Sequence, residues 1–204
     1  MKETPSTEKL DLIFVMDRSG SMSGSESDTI GGFNSFIQRE KEKSLNTYVT
    51  TILFDDQYEV LYKRKAIGEV AELTENEYWV RGCTALLDAI GRTINTLDHE
   101  IDNKVLFVIM TDGLENASRE FSKEQIRNLI NNHNWEFIYI GANIDSYTEA
   151  GSIGIKRSHT ANYRKSRKGF DDVYLSVNDA ADHMRHNRKL YKADWNKRLK
   201  KYDG

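Results

Sequence analysis

Apolar residues fall along this chain in blocks of two kinds. Blocks of the first kind are short and almost unbroken. Residues 10–16 (Leu-Asp-Leu-Ile-Phe-Val-Met) and 105–110 (Val-Leu-Phe-Val-Ile-Met) have strand length and very little polarity, so each predicts a strand covered on both faces. Residues 48–54 and 137–140 are β-branched or aromatic and predict two more strands. Asp55-Asp56-Gln57 is turn chemistry leading into residues 58–62, which makes 48–54 and 58–62 a hairpin. Residues 159–163 are expected as a short last strand.

Blocks of the second kind recur at helical spacing. Ile30, Phe33, Phe36 and Ile37 mark a helix over 29–43, and Leu86, Leu87, Ile90, Ile94 and Leu97 a strongly amphipathic one over 84–101. Ser122 can cap a helix running to about 133, with Ile126, Leu129 and Ile130 on one face. Asp145 can cap a short helix that stops at Gly151, and residues 171–192 carry Val173, Val177, Ala181 and Met184. Residues 69–77 are acidic and weakly patterned, as in a short helix and loop. Strands alternating with helices imply an α/β fold, a Rossmann-like three-layer αβα sandwich whose sheet is mostly parallel with one antiparallel edge strand. A C-terminal helical extension follows. We expect one domain over residues 1–190 and a basic tail, 191–204, that extends the last helix.

Composition narrows the setting. With 38% hydrophobic and 30% charged residues in 204, the chain reads as soluble and globular. No apolar run approaches the roughly 20 residues of a membrane span. Residues 1–5, Met-Lys-Glu-Thr-Pro, begin no apolar leader, and the single cysteine allows no disulfide within the chain. A cytoplasmic location is therefore expected, with Cys83 as a small buried residue. The net charge of −3 is uneven: residues 1–155 hold 15 Lys and Arg against 26 Asp and Glu, and residues 156–204 hold 14 against 6. A basic C-terminal segment could serve an electrostatic scaffold on nucleic acid or membrane. A solvated helix facing the acidic body is the simpler reading. The aromatic residues form no stacking stripe, so nucleic acid is not the expected partner.

The candidate chemistry gathers where strands end. Residues 10–16 run directly into Asp17-Arg18-Ser19-Gly20-Ser21-Met22, which places a carboxylate and two hydroxyls at every second position of one loop. Ligands of such folds bind outside the carboxyl ends of the strands. Residues 105–110 deliver a second carboxylate in Thr111-Asp112-Gly113, and Gly82-Cys83-Thr84 brings a hydroxyl to the start of a helix. A hard cation such as Mg²⁺ takes oxygen ligands of this kind and keeps some waters. Arg18 and Met22 flank the loop, and Arg18 reads either as screening the site or meeting a partner, or as a surface residue with no role. Glu115 and Asn116 are candidates for its rim. His183 and His186 with Asp179 and Asp182 read as surface residues of an amphipathic helix.

The pattern Asp-x-Ser-x-Ser, then a lone Thr, then Asp-Gly after a buried strand resembles the metal ion-dependent adhesion site of von Willebrand factor A domains. The resemblance spans roughly residues 10–190 and is closest to intracellular bacterial and phage members, which lack disulfides and a leader. It implies a metal site formed by Asp17, Ser19, Ser21, Thr84 and Asp112. In that family the serines and the threonine bind directly, and the aspartate matching Asp112 often acts through water. It implies Mg²⁺, with Mn²⁺ or Ca²⁺ as alternatives, and a protein partner that supplies an Asp or Glu to the metal. It assigns nothing after about Tyr163. Neutral hydroxyls leave the cation much of its charge, which favours binding an added carboxylate over catalysis. An enzyme is not expected. A Mg²⁺-dependent phosphohydrolase with Asp17 as nucleophile would want a second Asp where Ser19 stands, and Met22 stands where a hydrolase elbow needs its serine.

Overall fold

The computed structural model describes residues 9–43, 46–186, 189–190 and 194–203. Residues 1–5 and parts of the tail, 191–193 and 204, lie outside them. Six strands form one sheet: β1 (Leu10–Asp17), β2 (Thr47–Phe54), β3 (Tyr58–Ala66), β4 (Lys104–Thr111), β5 (Glu136–Ala142) and β6 (Thr160–Tyr163). Their order is β3-β2-β1-β4-β5-β6. All neighbours pair in parallel except β2 and β3, the expected hairpin. This is the α/β Rossmann-like sandwich that the alternating pattern predicts.

The two long apolar runs take the centre because only there are both faces covered. Along β1, Leu12, Phe14 and Met16 enter one core while Ile13 and Val15 enter the other. In β4, Leu106, Val108 and Met110 face the first core and Val105, Phe107 and Ile109 the second. The first core is closed by α1 (Glu26–Lys43) and by the helix after β6, the second by α2 (Leu86–Leu97), α3 (Lys123–Asn132) and α4 (Ser146–Ser152). Both expected caps form. Ser122 makes a reciprocal capping box with Gln125, and the Asp145 carboxylate accepts from Thr148 N. Strand order reverses between β1 and β4, so a crevice opens beyond their carboxyl ends.

The last helix differs from expectation at both ends. α5 spans Arg167–Arg185, opened by Ser166, whose hydroxyl accepts from Gly169 N. It ends earlier than the amphipathic pattern suggested, and the described tail residues do not prolong it. Residues 194–203 fold as turns and one 3₁₀ turn, with Trp195 and Leu199 fully buried. Their basic neighbours turn back on α5: Arg198 pairs with Asp179, and Lys201 with Asp172 at 2.7 Å. Two large apolar side chains among many charges carry too weak a period to be read as a docked segment. Asp182 of α5 is likewise engaged, with Lys43 and Arg185.

Candidate metal centre at the strand ends

Three loops converge at the crevice. The first leaves β1 at Asp17, whose carboxylate accepts from Ser19 N at 2.7 Å and from the Thr111 hydroxyl. Gly20–Met22 then forms a 3₁₀ turn that raises Ser21 to the surface while Met22 enters the core. The second loop zips onto the first: Arg81 N donates to Arg18 O and Gly20 N to Gly82 O, both at 3.0 Å. Gly82 has φ +66°, and a Cβ there would fall 2.0 Å from Asp56 Oδ1, so glycine is required for this approach. The third loop leaves β4 and carries Asp112 and Gly113.

These loops bring all five expected residues together. Ser19 Oγ lies 3.0 Å from Ser21 Oγ and 3.0 Å from Thr84 Oγ1, and Ser21 Oγ donates to Asp112 Oδ1 at 2.6 Å. Asp17, Ser19, Thr84 and Asp112 are buried, with Ser21 on the open side. Thr84 precedes α2 by two residues, held by Asn116, whose side-chain oxygen accepts from Thr84 N at 2.9 Å. Burial pushes the Asp17 carboxyl above its ordinary pKa. Hydrogen bonds from Thr111 and Ser19 work against that rise, and the neighbouring Asp112 adds to it.

The fit to a hard cation can be judged from spacing and from space. Oxygens on adjacent corners of an octahedron with bonds of about 2.1 Å lie about 3.0 Å apart. Ser19 Oγ keeps that distance to both other hydroxyls. Hydrogen bonding between hydroxyls would give the same spacing, so Gly113 is the more telling residue. A Cβ on it would lie 2.6 Å from Thr84 Oγ1, 3.0 Å from Ser21 Oγ and 3.5 Å from Ser19 Oγ. The backbone is bare where the hydroxyls point. Among the described residues no three His, Cys, Asp or Glu side chains converge, so the donor set here is two carboxylates with three hydroxyls. Oxygen-only donors suit Mg²⁺, Mn²⁺ or Ca²⁺. We expect Gly113→Ala to fold yet bind Mn²⁺ at least about tenfold more weakly, since a methyl group there costs the hydroxyls their alignment. Calorimetric titration with Mn²⁺ checks this; unchanged affinity would mean the hydroxyls serve no cation.

Several neighbours differ from expectation. Arg18 is fully buried, not a surface screen: it pairs with Asp55 at 3.1 Å and Glu59 at 2.8 Å. Asp55 does shape the turn, accepting from Gln57 N, but it also holds Arg81 at 2.7 Å. A buried guanidinium demands such partners, and they arrive from residues distant in sequence. Cys83 is exposed rather than buried, because the backbone of its loop is spent on the Asp17 loop and its side chain faces outward. Glu115 is engaged by backbone. Its carboxylate accepts from Leu87 N at the start of α2 and from Ala117 N and Ser118 N.

Two contributors went unseen in the sequence. Thr111 orients Asp17, and a hydroxyl at the end of a buried strand was readable as a site neighbour. Lys165, between β6 and α5, pairs with Asp112 Oδ2 at 2.7 Å and donates to Ser21 O. Nothing local in the sequence connects it with a residue more than fifty positions away.

The sequence matches no family model and no curated protein. The fold, however, is that of von Willebrand factor A domains. A paralogue of ArnB, VWA2, from Sulfolobus acidocaldarius superposes with a TM-score of 0.62 at 16% identity, over 84% of this chain and 45% of that one. The von Willebrand factor domain of the type V pili tip protein Mfa5 from Porphyromonas gingivalis gives 0.64 at 11%, over 84% and 95%. Proximal thread matrix protein 1 from the mussel byssus, in a structure with zinc in its adhesion-site motif, gives 0.61 at 18%, over 85% and 46%. The chain spans a little under half the length of several such neighbours.

Proposed function

We propose that this chain is a metal-dependent protein-binding module, not an enzyme, in which Asp17, Ser19, Ser21, Thr84 and Asp112 hold Mg²⁺ and a partner's Asp or Glu completes the coordination. The observation that carries the reading is the meeting of three hydroxyls and two carboxylates from three loops opposite the bare backbone of Gly113. The bound cation would supply a Lewis-acidic contact for a carboxylate. The protein's part is to hold the oxygens in place and to keep the floor of the site dry. Asp17, Ser19, Thr84 and Asp112 are each at most 5% exposed, which strengthens every charge interaction there.

The rim suits a protein partner. Leu114 and Trp79 are large apolar side chains left half exposed. Leu114 follows Gly113 directly, and Trp79 adjoins Tyr78, whose hydroxyl donates to Asp17 O at 2.6 Å. The Trp79 ring is braced by the Arg81 guanidinium, 4.4 Å from its centre. Leu114, beside the bare Gly113, is an exposed apolar anchor next to the polar contact, as in the core of an interface. No described helix is long and apolar enough to cross a membrane. A small, hydroxyl-rich donor set favours Mg²⁺ or Mn²⁺ over the larger Ca²⁺. A cytoplasmic setting belongs to the same proposal, supported by the exposed thiol of Cys83 in a chain with no second cysteine.

The test uses Mn²⁺ as a paramagnetic stand-in for Mg²⁺. We expect saturable Mn²⁺ binding that Mg²⁺ competes away, and enhanced water-proton relaxation that falls when acetate is added. Binding of no divalent cation at millimolar concentration would overturn the proposal, as would a complex whose relaxation acetate leaves unchanged.

A further inference from the structure

Asp17 and Asp112 bring two negative charges to the oxygen cluster, and the three hydroxyls bring none. The two carboxylates offset part of a divalent cation's pull on an acidic side chain, so any further charge beside them tunes that pull. Lys165 alters this balance. Its Nζ sits 2.7 Å from Asp112 Oδ2 and also donates to Ser21 O, which ties it to two of the three loops. The lysine side chain is only 20% exposed.

The loop that presents it is built tightly. Tyr163, two residues before, is buried at the end of β6. Ser166, one residue after, donates its backbone N–H to Arg164 O at 2.8 Å, and its side chain caps α5. A Cβ at Gly169 would fall 1.9 Å from Arg164 O, so glycine is needed for the loop to close against the helix. Lys165 therefore hangs between two fixed points, so its side chain, and not the loop, is what must be ordered at the site.

We propose that Lys165 is a specificity-determining residue, one that keeps the loaded site net positive and so selects a carboxylate ligand. This rests on the reading of the site as a cation-dependent module. By balancing Asp112, the ammonium leaves the five residues with one uncompensated negative charge instead of two. A divalent cation held there retains positive charge towards solvent. The same ammonium repels that cation, so the residue weakens cation binding while it strengthens ligand binding. A purely structural lysine would do neither in opposition: its loss would loosen Asp112 and weaken both.

The experiment uses the full chain, Mn²⁺ as the cation and acetate as the ligand. Calorimetry gives the Mn²⁺ affinity, and the acetate-dependent fall in water-proton relaxation gives the ligand affinity. Lys165→Met is expected to bind Mn²⁺ about tenfold more tightly and acetate about tenfold more weakly, the scale of one nearby charge in a partly dry site. Lys165→Arg, which keeps the charge, is expected near wild type in both. Lys165→Gln serves as a second neutral variant should the methionine variant fold poorly. If wild type binds Mn²⁺ and any pattern other than this opposition appears in the neutral variants, the role of Lys165 is overturned while the module stands. If wild type itself binds no Mn²⁺, the module reading fails and the lysine proposal with it.

Discussion

Asp17→Ala is expected to lower the affinity for Mg²⁺ or Mn²⁺ by about a hundredfold or more, roughly 3 kcal/mol. Asp17 is the buried carboxylate at the floor of the site, 1% exposed. Its loss removes half of the site's negative charge at the point least screened by water. The fold should survive. The variant strands one donor, Ser19 N, at a cost of about 1–3 kcal/mol, while the Thr111 hydroxyl keeps Gly113 O as an acceptor at 3.2 Å. Against this, it relieves the burial of a carboxylate, which already pushes the Asp17 pKa up. The two effects oppose, so in EDTA the melting temperature should move by only a few degrees. In wild type, cation at a hundred times its dissociation constant should add about 2.7 kcal/mol of stability, and in Asp17→Ala nearly none. Asp17→Asn keeps the shape and isolates the charge. Should Asp17→Ala gain as much thermal stability from Mg²⁺ as wild type does, the assigned site is not where the cation sits.

The largest effect on stability is expected from Trp195→Ala. Trp195 has no exposed surface, packs into the same core as Phe14, Tyr163 and Val177, and donates its indole N–H to Ser158 O at 3.0 Å. Removing a side chain of this size from a packed core costs about 3–5 kcal/mol, because the cavity collapses only in part. In a chain of this length that lowers the melting temperature by on the order of 10 °C. A second cost falls on the sheet edge. Asn196 Nδ2 donates to Thr160 O at 3.3 Å, so the segment that Trp195 anchors satisfies backbone acceptors beside the edge strand β6. Trp195→Phe, which keeps most of the volume, should lose less than half as much. Denaturant unfolding of the three proteins decides the matter; an alanine variant within about 1 kcal/mol of wild type would show that the segment contributes little to the domain.

Much of this architecture is legible in one dimension because its causes are local or periodic. Unbroken apolar runs such as 105–110 can be satisfied only between two covering layers, so they name the central strands. Helical spacing names the covering faces, and Ser122 and Asp145 mark where two helices begin because a cap acts within three residues. The five oxygen-bearing residues are legible for a related reason. Each lies at the carboxyl end of a strand or the start of a helix, and a parallel sheet gathers such ends on one edge. What remained hidden depends on contacts between residues far apart in the chain. Burial of Arg18 needs Asp55 and Glu59, exposure of Cys83 follows from how its loop zips to another, and the inward turn of Glu115 follows from the start of α2. The tail reads as a charged helix until Trp195 and Leu199 find a core to enter. Sequence pattern thus determined the layers and the donors. Tertiary structure alone decided which charges face one another, Lys165 and Asp112 above all, because an ion pair has no period along a chain and exists only once folding has brought its halves together.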